Sequence, residues 1–148
     1  MANRKDPLGG YNFHIMIDNI TGGGFKECTG LGLSQEMGTY REGNDHGLGL
    51  RKIPALSTVP NITLKRGIIT ERSLWDWFMD IKEGKENRRQ MTIVLENDQH
   101  IAQITWHLVD CFPIRWSGPT LDATSNEFGF EEVEICCEDI HLDTWETK

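Results

Sequence analysis

The chain has 148 residues, 38% hydrophobic and 26% charged, enough for one domain of ordinary size with a core of its own. Twenty-three acidic against fifteen basic residues leave a formal charge of -8, which excludes a surface built to wrap nucleic acid, since that needs clustered Lys and Arg. No apolar run approaches the length of a membrane span and the N-terminus lacks a long apolar stretch, so neither a membrane anchor nor a signal peptide is expected. Cys28, Cys111, Cys136 and Cys137 are then expected as free thiols in a reducing compartment, and the Asn-x-Thr triplets at Asn19 and Asn61 as chance.

Residues 1–10, polar with Pro7 and a Gly9-Gly10 pair, read as a flexible arm. Strand signals follow at once: Tyr11, Phe13, Ile15 and Ile17 alternate with Asn12, His14, Met16 and Asp18. Residues 18–24 are a glycine-rich turn, and a strand restarts at Phe25. It is interrupted at Gly30 and Gly32 and continues through Leu33, Gln35 and Met37 to about Tyr40. Residues 41–60, with charges at Arg41, Glu42, Asp45 and Arg51, three glycines and Pro54, form a connection long for a compact domain. Loops of that length are functional or disordered, and this one is read as an arm reaching beyond its own domain.

The stretch from Asn61 to Gly84 organises the rest. Ile62 and Leu64 alternate with Thr63 and Lys65 as a strand. Then Leu74, Trp77, Phe78 and Ile81 recur at helical spacing and draw one apolar stripe. Ser73 or Thr70 is the expected N-terminal cap, and Gly84 the expected left-handed terminus. Beyond the helix, residues 89–96 and 102–108 alternate on either side of an Asn97-Asp98-Gln99 turn, which predicts a hairpin with Ala102, Ile104, Trp106 and Leu108 inward and Gln103, Thr105 and His107 outward. Pro113 is expected to end that strand, and turns follow at Ser117-Gly118-Pro119 and at Thr124-Ser125-Asn126. A last strand over residues 127–138 changes phase, with Phe128 and Phe130 sharing a face with Glu132 and Glu134, which predicts a bulge near Glu131 or a change of environment. Short strands with one helix and no internal repeat predict a single domain over 1–148 that is mainly β, a small antiparallel barrel or sandwich.

Chemistry finds little purchase. The glycine pairs at 30–32 and 47–49 lack a full phosphate-binding fingerprint and open no helix. Cys136 and Cys137 point to opposite strand faces and cannot readily share a metal. His14 and His107 fall on polar strand faces, and no spacing orients a base toward Cys28 or Cys111. Acidic pairs such as Glu131-Glu132 read as solvated surface. Trp77 belongs to the apolar stripe, whereas Trp75 stands at its edge, where an exposed Trp points to a protein partner. Neither catalysis, cofactor nor metal is expected.

Several strings, in order, carry a resemblance. They are Phe25-Lys26-Glu27-Cys28-Thr29-Gly30-Leu31, Tyr40-Arg41-Glu42-Gly43, Arg51-Lys52-Ile53-Pro54, Ile62-Thr63-Leu64-Lys65-Arg66-Gly67, Leu74-Trp75-Asp76-Trp77, Arg88-Arg89, Pro113-Ile114-Arg115-Trp116-Ser117-Gly118-Pro119 and Asn126-Glu127. From Tyr11 to about Leu142 the chain resembles the tail tube protein family of contractile phages and phage-tail-like injection systems. Departures include Cys28, Phe112, the Ala55 after Pro54 and the Cys136-Cys137 pair.

The resemblance implies a tail-tube-like β-barrel with one helix, made in the cytoplasm and assembled into a particle. Six copies would close a ring, and rings would stack into a hollow tube driven forward by sheath contraction. Its implied partners are further copies of itself, a contractile sheath protein, baseplate and spike proteins, and a DNA or effector-protein cargo in the lumen. Carried over, Tyr40, Arg41, Glu42, Arg51, Lys52 and Pro54 become ring-stacking candidates within an inter-ring loop at 41–60. Trp75, Asp76, Met79 and Asp80 become the sheath-facing candidates of the helix. Glu132 and Glu134 are the candidates for an acidic lumen lining, which would keep a polyanion from adhering to the wall. Two alternatives stay open: a baseplate tube initiator of the same family, or a monomeric β-barrel that binds a small apolar ligand.

Overall fold

The computed structural model describes residues 6–20, 24–41, 43, 49–68 and 71–146. In chain order the elements are β1 (Phe13–Ile17), β2 (Glu27–Thr29), β3 (Ser34–Tyr40), β4 (Arg51–Thr58), β5 (Ile62–Gly67), α1 (Ser73–Lys82), β6 (Arg89–Glu96), β7 (Ala102–Ser117), β8 (Phe130–Cys136) and β9 (Asp139–Trp145). Seven strands join in one bent antiparallel sheet with two wings. The first wing runs β1-β6-β7-β9 and the second β7-β8-β5-β2, so β7 belongs to both. Strands β3 and β4 form a separate two-stranded sheet.

The bend in β7 has a local cause. Val109 and Asp110 stand opposite the single residue Gln90, and Asp110 takes φ 51°. This bulge is fastened by the Gln90 side-chain amide, whose Nε2 donates to Asp110 Oδ1 at 3.0 Å. An extra residue increases local twist and redirects the strand. Before the bulge β7 pairs with β6, and after it, from Phe112 onward, with β8. The enclosed core gathers Ile62 and Leu64 from β5, Met91 and Ile93 from β6, Leu108 and Cys111 from β7, and Val133 and Ile135 from β8. Helix α1 packs against β7 and adds Leu74 and Trp77 to that cluster. Burying each large apolar side chain contributes roughly 1.5–3 kcal/mol. The Trp77 indole N–H is satisfied by the Asn87 carbonyl at 2.7 Å.

Five expectations need correction. Residues 51–58 are not loop but strand β4; Pro54 is tolerated because both strands of this hairpin are edges, with no third strand beside them among the described residues. Pro113 does not end β7, which runs on to Ser117, because past Cys111 the strand has left β6 and become an edge of the second wing. Ala102 is exposed and Gln103 buried, the reverse of simple alternation, because Gln103 is an extra residue between the pairs Glu96↔Ala102 and Leu95↔Ile104. The last strand has no bulge near Glu131: β8 keeps unbroken register with β5 from Ile62↔Ile135 to Gly67↔Phe130, and Glu131 itself faces inward. The chain then turns at Cys137 and Glu138 into a further strand, β9, along β7.

The helix start also differs. Ser73 is the first helical residue and its hydroxyl caps nothing; the Glu71 carboxylate accepts the Ser73 backbone N–H at 2.6 Å, placing negative charge at the positive end of the helix dipole. Thr70 lies outside the described residues. At the other end Gly84 takes φ 83° as expected, a conformation that costs glycine least. Gly30 (φ 90°) is the tighter requirement, since a Cβ there would lie 2.2 Å from the Asn61 carbonyl oxygen.

Candidate assembly interface

Three surfaces carry the residues singled out from the sequence. The first is the β3–β4 hairpin. Its register is Tyr40↔Arg51, Thr39↔Lys52, Gly38↔Ile53 and Met37↔Pro54, with an irregularity before Met37. Tyr40 and Arg51 therefore share the end rung, Lys52 lies on the next and Pro54 two rungs beyond that, and Arg41 follows Tyr40 directly, exposed. Glu42 lies outside the described residues. Every residue of β4 is exposed, and β3 is nearly so. The exposed side chains include Leu33, Met37, Tyr40, Ile53 and Leu56, the last at 72%. Sequence reasoning took Tyr40, Pro54 and the charges here and missed Leu33, Met37, Ile53 and Leu56, because Pro54 masked the strand pattern that shows them to be a surface. A lone two-stranded hairpin is at best marginal in water, and an exposed apolar patch with unpaired edges marks a contact site.

The second surface is the outer side of α1. Trp75 is 40% exposed and meets Trp116 of β7 edge to face, with ring centroids 4.8 Å apart. Asp76 is exposed and paired with Arg72 one turn earlier at 3.0 Å. Met79 and Asp80 are half-buried. Asp80 accepts from the Asn87 side chain at 2.9 Å, so it also fastens the helix end to the following segment.

The third surface is the outward face of the second wing. Glu132 stands between Lys65 on β5 and Ser117 on β7, and Glu134 between Thr63 and Arg115. Glu27 on β2 lies opposite Lys65 on its other side. Both predicted acids thus share one face, Glu132 exposed and Glu134 half-buried, but each has a cation across a strand. Opposite charges at such positions stabilise a sheet modestly. Lys65 and Arg115 were not legible as part of this site, because their proximity exists only once the strands are in register.

Behind that face lies a buried polar group. Arg66 is 1% exposed and its Nε donates to Glu131 Oε1 at 2.5 Å, while its Nη2 donates to Glu71 at 3.1 Å. The Trp116 indole N–H donates to the other Glu131 oxygen at 3.1 Å. The pair therefore ties the middle of the second wing to the helix start. The histidines weighed as bases are engaged elsewhere: His14 with Glu96 at 3.0 Å, and His107 with Thr92 Oγ1 at 3.0 Å. Burial pushes the Cys28 thiol up to about 11, so it stays protonated. Among the described residues no three potential ligands converge on a metal position, and no helix is long and apolar enough to cross a membrane. A hollow of about 410 Å³ bordered by Lys65, Asp122, Glu127, Phe130 and Glu132 is open and mostly polar, unlike an apolar ligand pocket.

Comparison with known proteins agrees with this architecture. The family model described as T4-like virus tail tube protein gp19 matches residues 9–141. Among solved structures, the chain superposes on the anti-feeding prophage cap, a tube-terminating cap, with TM-score 0.85 at 22% identity, covering 97% of this chain and 95% of that one. It superposes on a chain of the extracellular contractile injection system PVC sheath–tube complex in the extended state with TM-score 0.81 at 27% identity, covering 93% and 92%. Hcp1 from Flavobacterium johnsoniae shares the fold more distantly, with TM-score 0.56 at 10% identity over 89% and 94% of the two chains. A search of curated protein sequences finds no match. The fold is that of the tube-forming subunits of contractile particles. The chain belongs to the T4-like virus tail tube protein family, and its role is that of a structural subunit of a phage-like tail tube.

Proposed function

We propose that this protein is the repeating subunit of the inner tube of a contractile tail or injection particle, made in the cytoplasm and closed into six-membered rings that stack into a conduit. One observation carries the reading: an arm of two strands, rich in exposed Leu, Ile, Met and Tyr, has no cover within its own subunit among the described residues. Such an arm becomes stable when it lies on another copy. Tyr40, Arg41, Glu42, Arg51, Lys52 and Pro54 then serve ring-to-ring stacking, and the apolar residues between them supply the area. Trp75, Asp76 and Met79 face the sheath, with Asp80 holding the helix end behind them.

Glu132 and Glu134 line the lumen together with Lys65 and Arg115, and DNA or an effector protein passes along it. The tube acts passively, as a rigid conduit moved by the sheath, with a baseplate and spike at its end. Negative-stain microscopy of the concentrated protein tests the assembly. Rings or tubes are the expected result, and a monodisperse monomer at every concentration refutes it. Copy number per particle separates a main tube subunit, present in every ring, from a baseplate initiator present in one.

A further inference from the structure

Cys111 and Cys137 sit at the corner where two paired strands turn together. Phe112 pairs with Cys136 at the end of the β7–β8 ladder, and Cys111 and Cys137 are the residues next beyond that rung on the two segments. On the far side of the corner Val109 pairs with Asp139, and the Val109 carbonyl accepts the Glu138 N–H at 3.0 Å. The two thiols lie where β7 bends through Asp110 and where the chain passes from β8 to β9. Both are buried, and their sulfurs face each other at 2.8 Å as free thiols. Cys136, by contrast, is half-buried on the opposite side, and Cys28 belongs to β2 at the other edge of the wing.

We propose that Cys111 and Cys137 are an oxidation site, closing into a cross-strand disulfide when the protein meets a small-molecule disulfide in an oxidising medium. Sulfurs already 2.8 Å apart need to move less than an ångström or so to reach bonding distance, so closure needs little backbone movement. The chemistry is exchange with, for instance, oxidised glutathione. The Cys137 thiolate attacks one sulfur of that disulfide and one glutathione thiolate leaves. Cys111, having given its proton to solvent, then displaces the second. Two protein thiols are oxidised by two electrons, and the glutathione disulfide is reduced to two thiols that take up the two protons. The contact with Cys137 and burial push the Cys111 thiol up, so Cys111 holds little thiolate in the folded chain and closure proceeds through molecules in which the corner opens. The bridge fixes the corner at which one wing becomes the other, and it does so whether or not the subunit stands in a tube.

The test uses the Cys28→Ser/Cys136→Ser variant, which leaves only this pair. The protein is equilibrated in glutathione redox buffers with and without denaturant, acid-quenched, alkylated and weighed. The bridged form, two hydrogens lighter, is expected at least about tenfold more favoured in the folded than in the unfolded chain. In the wild type, peptide mapping is expected to link Cys111 to the Cys136-Cys137 peptide, and reduction to reverse the link. An equilibrium no more favourable in the folded state, or a link formed between two chains, overturns the proposal.

Discussion

Glu131 and Glu132 are neighbours in sequence with opposite roles. Glu131 takes the Arg66 guanidinium and the Trp116 indole inside the sheet, whereas Glu132 faces outward among Lys65 and Ser117. A buried charge left without its partner costs far more than a solvated one. Glu131→Ala is therefore expected to lower stability by about 3 kcal/mol, since it takes from the buried Arg66 the carboxylate on its Nε and leaves Glu71 on its Nη2. Glu132→Ala is expected to stay within about 0.5 kcal/mol of the parent, as surface changes do. Urea unfolding of the two variants decides it, and equal effects would show that the inward placement of Glu131 is wrong. The sequence carried the odd phase of this strand but not its cause. A carboxylate facing inward looks like a break in the pattern until Arg66, sixty-five positions away, is seen beside it.

At the scale of elements, legibility followed regular alternation. β1, β6 and the helix stripe were readable because their apolar residues recur at the period of the element that buries them. β4, the continuation of β7 past Pro113, and β9 were not. Each depends on what lies beside it: a free edge that accommodates proline, or a bulge that moves Gln103 inward and Ala102 outward. The hairpin shows the same limit in function, since Met37 and Ile53 acquire meaning only as exposed members of an arm. Replacing both by Lys changes no buried contact within the subunit. The Met37→Lys/Ile53→Lys protein is thus expected to unfold within about 0.5 kcal/mol of the parent. It is also expected to form no tubes in concentrated solution, as seen by negative-stain microscopy. Tubes of normal length would remove the hairpin from the stacking contact.

For the molecule as a whole, the edges and the charge decide what a copy can join and what can slide past it. Among the described residues the path β1-β6-β7-β8-β5-β2, six of the sheet's seven strands, ends at β1 and β2 without closing on itself, and β9 lies along only part of β7, so unpaired backbone remains for neighbours to engage. The formal charge of -8 per subunit gives an assembled tube a strong negative field, and in the proposed assembly the second-wing face sets how much of it reaches the bore. On that face Lys65 and Arg115 offset Glu132 and Glu134, so the proposed lining is closer to balanced than the two acids suggest. Glu132→Lys/Glu134→Lys reverses both acids and leaves uncompensated cations around the ring. A polyanionic cargo would then exchange its counterions for wall lysines and adhere. Ejection is expected to slow roughly tenfold or more at low ionic strength, and by progressively less as salt screens and competes for the wall. Tubes of normal length that eject at the parent rate across the whole salt range would place this face away from the cargo.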